Sequence, residues 1–449
     1  MINKHLKQGA FFVGTLASVF HPTSAQAQSQ DALLDKLVTK GILTQTEAAE
    51  LRDEADDGFR KSYQAKSGMP DWVTSLKFNG DLRGRYESFI QDQANTIDRN
   101  RYRYRLRFGF VATMLDNIEV GFRLGSGDAS ATGGLIDPIS NNQSLENNGA
   151  KKGIFIDLAY GKWTPINNQH WQGGIVAGKM ENPFVTSDMV FDNDYTPEGA
   201  AMNLKYSFND QHALRFIGGG FVLDEASGRG KNPYLAAAQA RFESTYGERQ
   251  QLQTSFGVGV FSISNDQLLT TNSVANLNVG NSHKPVTGGA PTYGFNPIVV
   301  DAAITYSLSE FPGYAGKFPI KLAADYLHNP SADTDEDGYS VGLTFGKSGK
   351  RKTWEVSYRW RELQANAWFE ELVDSDTGAF YRSAFPGSGR GSGYQAGTNV
   401  RGHVLRAAYS PFDSFTLGVN YFMMEAIREN PVGTGSSIGR LQVDAILKF

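Results

Sequence analysis

The sequence predicts an all-β membrane protein, an antiparallel transmembrane β-barrel of about 16 strands preceded by a short periplasmic helical hairpin. Three observations predict this fold. Polar and apolar residues alternate with a period of two from Trp72 to the end of the chain. Short turns alternate with long loops rich in Gly, Asn and Ser. The chain ends on Phe449, at the close of one such alternating segment.

The first residues have the features of an export signal. Lys4 and Lys7 precede the apolar stretch "GAFFVGTLASVF", which falls short of the ~18 residues that a membrane-spanning helix needs. Small residues follow at Ala25 and Ala27, as expected before a cleavage site. We therefore expect residues 1–27 to be a signal peptide and the protein to be exported.

Composition excludes several other classes of protein. The chain has no cysteine, so it has no disulfide, no thiolate metal site and no cysteine nucleophile. Its 43 Lys and Arg against 47 Asp and Glu argue against a nucleic-acid binder. No apolar run after the signal approaches ~18 residues, which excludes a bundle of membrane-spanning helices but permits a β-barrel.

Residues 28–70 contain the helical part of the sequence. "DALLDKLVTKGILTQTEAAELRDEA" has apolar residues at helical spacing, a break at Gly41, and a capping-box pair at Thr44 and Glu47. We expect a hairpin whose apolar stripe self-associates or docks on a partner. A marginal helix without a partner stays open as the alternative, because short isolated helices are unstable in water.

Residues 71–449 form the predicted barrel. In "LKFNGDLRGRYE", Leu76, Phe78 and Leu82 share one face, and charged residues share the other. About 16 segments of this kind can be counted, to within two, and an even number is expected. Turns such as "LDN" alternate with loops as long as 127–150, an alternation that a soluble β-sandwich or propeller would not need.

The segment "RNRYRYRLRFGF" carries an arginine at every second position from Arg99 onward. As an isolated stretch it resembles a basic arm for nucleic acid, but export and the acidic total charge argue against that reading. In a barrel, a lipid-facing arginine would cost roughly 2–4 kcal/mol at the midplane, so the arginines must face the water-filled interior. The predicted pore-lining residues are Arg83, Arg85, Arg101, Arg103, Arg105, Arg107 and Arg123.

The stretch after Met180 is the candidate constriction loop. If it folds inward, its acids oppose the basic wall, and the resulting field favours polar solutes. The alternative is that these acids bond to the barrel rim or to backbone groups. The acids are Glu181, Asp188, Asp192, Asp194 and Glu198.

The last segment is typical of the strand that the barrel-assembly machinery of Gram-negative bacteria recognises. Phe449 shares a face with Leu447, Ala445 and Val443, and polar residues occupy the other face. An ordinary final strand is the simpler alternative.

No motif in the sequence calls for a metal, a cofactor or an enzyme. "DTDEDG", with Asp333, Asp335 and Asp337, resembles the start of a calcium loop but lacks its closing Glu, because Thr344 stands there. We expect an acidic loop tip, and divalent ions bridging it to lipopolysaccharide stay open. The histidines are not paired at helical spacing, although a Ser–His–Asp site assembled in space is beyond sequence reasoning.

The chain resembles the bacterial putative porin family, which joins a periplasmic helical hairpin to a barrel. "LLDKLVTKGILTQTEAAEL", "AGKMENPFVTSDMVFDNDYTPEGAA" and the Phe-terminated strand carry the resemblance. A more distant likeness is to the phosphate-selective porins, whose 16-stranded barrels are trimers with a constriction loop folded into the pore.

The resemblance and the residues together predict an outer-membrane porin, a passive channel for small hydrophilic solutes or ions. The expected partners are outer-membrane lipid and lipopolysaccharide, the assembly machinery, and two further copies of the chain in a homotrimer. The alternative function is a structural anchor that tethers the envelope through the N-terminal helices.

Overall fold

The structure, a computed structural model, divides the chain into two units, Met1–Trp72 and Val73–Phe449. Apart from six isolated residues between 37 and 51, it describes residues 69–91, 98–128, 138–247, 251–269, 280–284, 290–378, 380–382, 393–395, 397–428 and 437–449.

The first unit is described at only a few positions. The backbone N–H of Thr44 donates to the Glu47 carboxylate over 2.8 Å, and that of Glu47 donates to the Thr44 hydroxyl over 3.2 Å, which is the predicted capping box. The signal peptide over 1–27 and most of the hairpin over 28–70 lie outside the described residues. Among the described residues, no helix has the length and apolar character needed to cross a membrane.

The second unit is a closed antiparallel barrel of 16 strands, which confirms the predicted fold. Each strand pairs with its neighbours in the sequence, and the last strand pairs with the first from Asp81↔Lys448 to Gln91↔Ile438. The strands are β1 (Val73–Gln91), β2 (Arg99–Met114), β3 (Ile118–Ser126), β4 (Ile154–Asn167), β5 (Trp171–Lys179), β6 (Glu198–Ser207), β7 (His212–Val222), β8 (Tyr234–Tyr246), β9 (Leu252–Ser264), β10 (Ile298–Leu308), β11 (Phe318–His328), β12 (Asp337–Gly346), β13 (Thr353–Leu363), β14 (Val400–Phe412), β15 (Phe415–Ala426) and β16 (Ile438–Lys448).

The alternation in the sequence determines which face of each strand points outward. On β2, Tyr102 and Phe108 are exposed on the outer face, whereas Arg103 and Arg105 are buried on the inner face. The same pattern of exposed apolar residues recurs on the other strands, because the outer face meets lipid and the inner face meets water and polar groups.

Connection lengths alternate as the sequence predicts. Turns such as 115–117 and 413–414 join strands at one end of the barrel, and loops such as 180–197 and 265–297 join them at the other. Left-handed backbone at Asp116 and Asn117 makes the first of these turns tight, a conformation that Asn and Asp tolerate better than most residues. Two short strand pairings, Phe380–Arg382 with Gly393–Gln395 and Gln143–Ser144 with β2, lie outside the main ring.

The largest buried apolar cluster lies inside the barrel. It joins side chains of the 180–197 and 364–378 loops to inward-facing residues of the wall, mainly on the strands from β7 to β15. Phe191 is central, with ring centroids 5.5 Å from Phe261 and 6.0 Å from Trp368. Much of the interior near the long-loop end is therefore filled by packed side chains.

The C-terminal residue completes the ring. The backbone N–H of Gly80 donates to the carbonyl oxygen of Phe449 over 2.8 Å, and the Phe449 N–H donates back over 3.1 Å. Gly80 has no room for a side chain, because a Cβ there would lie 2.5 Å from the Phe449 ring and 2.6 Å from the Arg107 carbonyl oxygen.

Replacing Gly80 with Val should lower the free energy of unfolding by about 1–3 kcal/mol, since the added side chain overpacks the contact between β1 and Phe449. The measurement is the fraction of protein that keeps the compact mobility of a folded barrel on unheated electrophoresis gels. Gly84→Val is the matched control, because a Cβ at Gly84 on the same strand meets nothing within 4 Å. Equal folded fractions for the two variants would mean that a side chain at position 80 does not disturb the contact with Phe449.

Candidate functional site

The loop between β5 and β6, residues 180–197, lies inside the barrel. Its Ser187 hydroxyl donates to Asp325 on β11 over 3.0 Å, and its Asp194 accepts from Arg105 on β2 over 3.0 Å. The Val185 carbonyl accepts from Gln239 on β8 over 2.8 Å. One segment can reach strands on different sides of a closed ring only through the interior, which from here on we call the lumen.

Arginines of β1, β2 and β3 face the lumen, and the strand register brings several of them together. Arg83 lies opposite Arg105, and Arg85 lies opposite Arg103. Like charges directly opposite each other destabilise a sheet, so this wall needs carboxylates at close range. The wall consists of the seven predicted residues, Arg83, Arg85, Arg101, Arg103, Arg105, Arg107 and Arg123.

Carboxylates on the wall itself neutralise part of this charge. Asp81 pairs with Arg105 over 3.0 Å and with Arg107 over 2.8 Å. Glu87 is fully buried and pairs with Arg101 and with Arg440 of β16. Burying a carboxylate this deeply is costly unless several cations and hydrogen bonds surround it, and Glu87 has them.

The acidic loop meets this wall by direct contact. Asp194 pairs with Arg105 over 3.0 Å and with Arg107 over 3.3 Å, and Glu181 pairs with Arg123. At the end of the loop, Glu198 pairs instead with Lys179 over 3.1 Å, at the strand ends of β5 and β6. The wall and the loop therefore lie face to face, with ion pairs between them.

A second group of arginines holds the far side of the loop. Asp188 is buried and lies 3.3 Å from Arg359, 3.5 Å from Arg361 and 3.1 Å from Arg406, on β13 and β14. Sequence reasoning assigned no role to these three arginines. Arg359 and Arg361 stand two positions apart in the alternating segment "TWEVSYRWR", which is the signal that the sequence offers. Nothing local indicates which acid they meet.

Residues 364–378, which follow β13, also enter the lumen, a feature that sequence reasoning missed. The Trp368 indole N–H donates to the Val190 carbonyl over 2.8 Å, and the Asp192 N–H donates to the Leu372 carbonyl over 2.8 Å. Asp376 then reaches the basic wall, 3.2 Å from Arg85 and 2.8 Å from Arg440. The two loops thus form one packed body, anchored to the wall by ion pairs on several strands.

Buried carboxyl groups lie close together where the two loops meet, with more acids than arginines around Asp192. Burial raises the pKa of Asp192 well above its ordinary value, and nearby Asp374 adds to the increase. Burial likewise raises the pKa of Asp374 to about 6, assisted by the charges of Asp188 and Asp376. Burial would also raise the pKa of Asp188, but the arginines around it outweigh burial and lower that pKa.

Two acids of "DTDEDG" have partners within the protein. Asp335 lies 2.7 Å from Arg428, and Asp337 accepts hydrogen bonds from Tyr326 over 2.7 Å and His328 over 2.9 Å. In the described part of the chain, no group of three or more His, Asp or Glu residues is arranged to hold a metal ion.

Three cavities adjoin the inward-folded loop. One of about 970 Å³ is lined by Asn141, Asp157 and Asp194 near the long-loop end. A second of about 450 Å³ lies along β3 to β7, and a third of about 620 Å³ lies toward the short-turn end under Val185 and Ser187.

A closed barrel of 16 strands with an apolar outer face, a charged lumen and an inward-folded loop defines a transmembrane β-barrel of the outer-membrane channel class. The sequence model of the family described as putative porin matches residues 92–284, which confirms the resemblance. A search of curated protein sequences found no match.

Solved structures were compared by fold. OprB of Pseudomonas putida, in its high-pH structure, is 11% identical, with a TM-score of 0.52, over 88% of this chain and 97% of that chain. OmpF of Salmonella typhi with daunomycin is 10% identical, with a TM-score of 0.47, over 83% and 97%. DcaP of Acinetobacter baumannii is 13% identical, with a TM-score of 0.41, over 84% and 97%. At these identities, only the first likeness bears on the chain, and it concerns the fold alone.

Replacing Asp188 with Asn should lower the free energy of unfolding by about 3–5 kcal/mol, because three inward arginines lose a buried carboxylate. Urea unfolding in detergent would measure the change. Glu425→Gln is the control, since Glu425 forms an exposed pair with Arg401 over 2.6 Å and should contribute about 0–1 kcal/mol. An Asp188 variant as stable as this control would contradict the anchoring role.

The raised pKa of Asp374 predicts a pH dependence for the contact between the loops. A carboxyl pKa of about 6 in the folded protein exceeds the ordinary value of 3.8, so the stability it contributes is full below about pH 3.8 and is lost as pH rises through 6. Amide hydrogen-exchange protection at 188–192 should therefore be higher at pH 5 than at pH 7.5.

Asp374→Asn, which mimics the protonated carboxyl, should remove most of that difference in protection. An unchanged pH dependence in this variant would mean that another group is responsible.

Proposed function

We propose that this protein is an outer-membrane porin, a passive water-filled channel for small hydrophilic solutes. The observation that carries the proposal is the loop 180–197, which enters the lumen of a closed 16-stranded barrel and pairs with charged residues of its wall. A barrel of this size has a lumen wide enough for water, and a loop inside it narrows the passage to the size of a small solute.

The seven wall arginines and the loop acids Glu181, Asp188, Asp192 and Asp194 keep their proposed roles, with a division between them, whereas Glu198 belongs to β6 and pairs with Lys179. On β1 and β2 the buried arginines are engaged by the protein itself. Arg105 holds the loop through Asp194, Arg83 and Arg103 bond to Asn142, and Arg85 pairs with Asp444 of β16. Arg123 of β3 pairs with Glu181, which lines the cavity of about 450 Å³ and keeps 62% of its side chain exposed. Opposite charges across a narrow passage create a field that favours polar solutes over apolar ones.

The N-terminal segment and the partners complete the proposal. Residues 1–27 act as the export signal, and residues 28–70 form a periplasmic hairpin that assists a homotrimer. Phe449, with Leu447, Ala445 and Val443, acts as the signal for the barrel-assembly machinery, and the outer face meets lipid and lipopolysaccharide. The role is transport and not catalysis.

The purified full-length protein should produce discrete, ohmic conductance steps in planar lipid bilayers, because passive diffusion through a fixed pore scales with the applied voltage. Conductance should fall in proportion when the salt is diluted. A correctly folded barrel, judged by its compact mobility on unheated gels, that produces no conductance would refute the porin function.

A further inference from the structure

The lumen is not equally open around its circumference. From β7 round to β15, inward apolar side chains pack against the two loops, and Phe221, Leu327 and Phe422 there are at most 2% exposed. From β16 to β2, the wall is joined to the loops by ion pairs such as Arg85–Asp376. The remaining part of the wall, from β3 to β7, carries the cavities of about 970 and 450 Å³.

Arg123 lies between these two cavities. It pairs with Asp157, which lines the larger cavity, and with Glu181, which lines the smaller one. Asp157 is fixed on β4 with 5% of its side chain exposed, whereas Glu181 belongs to the loop and is 62% exposed. Of the two carboxylates that Arg123 holds, Glu181 is therefore the one that a solute could replace.

Beside Arg123 the wall is covered by the side chain of Tyr160. Its ring fills the space over Gly121, where a Cβ would be 2.2 Å from the ring, and its hydroxyl donates to Glu119 over 2.9 Å. Glu119 is balanced by Lys162 at 3.9 Å, so this stretch has little net charge.

Lysines continue the path toward the short-turn end. Lys205 lines both the cavity of about 450 Å³ and the one of about 620 Å³, and Lys321 lines the latter. Among the residues that the structure describes, no carboxylate forms an ion pair with either lysine, whereas Arg215 and Arg241 beside them are paired with Glu243 and Asp301. An anionic solute would thus meet Arg123 first and the two lysines afterwards.

We propose that solutes enter along the wall of β3 to β7 and continue past Lys205 and Lys321 toward the short-turn end. Arg123 is then the specificity-determining residue, selecting small solutes that carry an oxyanion, either a carboxylate or a phosphate. This inference rests on the proposed porin function. The oxyanion takes the place of the Glu181 carboxylate on the planar guanidinium, which offers paired N–H donors to two oxygens at once. At rest the Glu181 carboxylate occupies the guanidinium and yields only to a group of its own chemistry, and the positive charge of Arg123 disfavours cations.

The test is ion selectivity of the full-length protein in planar bilayers with asymmetric potassium chloride, acetate or phosphate. Arg123→Gln should lower the permeability ratio of acetate or phosphate to potassium by about fivefold, the Boltzmann factor for one unit charge at about 4 Å in water. Glu181→Gln should raise the ratio by a similar factor, because Arg123 is then free to meet the solute. Lys205→Gln should lower it less.

The control variants carry the same charge changes on the outer face of the barrel. Arg401→Gln and Glu425→Gln break an exposed pair between β14 and β15, and the permeability ratios should not change. Comparing the permeability ratios measured in acetate and in phosphate identifies which oxyanion the site prefers.

Several outcomes would overturn the inference. If the protein conducts but Arg123→Gln and Glu181→Gln match their controls, the path lies elsewhere, although the porin function stands. If the chloride ratio changes as much as the acetate and phosphate ratios, Arg123 attracts anions in general and does not select oxyanions. Should Arg123→Gln fail to assemble, Glu181→Gln and Lys205→Gln still decide the question. Absence of any wild-type conductance would instead refute the porin function.

Discussion

The neutralisation of inward-facing arginines is the constraint on which the rest of the structure depends. Lipid forces these side chains to the inner face of the barrel, and strand register then places Arg83 opposite Arg105 and Arg85 opposite Arg103. A wall with this density of positive charge needs carboxylates at close range, and its own Asp81 and Glu87 supply only part of them. The loops supply the rest, and so the charge of the wall favours their inward fold.

Apolar packing turns this attraction into a defined structure. Ion pairs alone would leave two long loops with many arrangements, whereas rings such as Phe191 and Trp368 pack against each other and fix one of them. The two loops also share backbone hydrogen bonds, so each holds the other in place. Charge therefore draws the loops to the wall, and packing fixes their path across the lumen.

This arrangement separates the tasks of the charged residues. The buried arginines of β1, β2, β13 and β14 are engaged in holding the loops, and their fields are largely balanced by nearby acids. Arg123 differs because one of its two carboxylate partners is an exposed side chain on a loop, beside open cavity. The buried arginines and Arg123 are the same residue type, and they differ in whether their carboxylate partners are buried or exposed.

The sequence by itself determined the barrel, a strand number of about 16 to within two, the inward direction of the arginines and the alternation of turns and loops. All of these follow from a period of two and from local turn chemistry, which lie within a few neighbouring residues. It also indicated that an acidic loop would face the basic wall. Only the tertiary structure decided that Asp188 meets Arg359, Arg361 and Arg406, and that Asp376 and Asp444 meet Arg85. These partners are separated by roughly 170 to 360 positions in the chain, so their pairing depends on ring closure and on the path of two loops, neither of which leaves a local pattern.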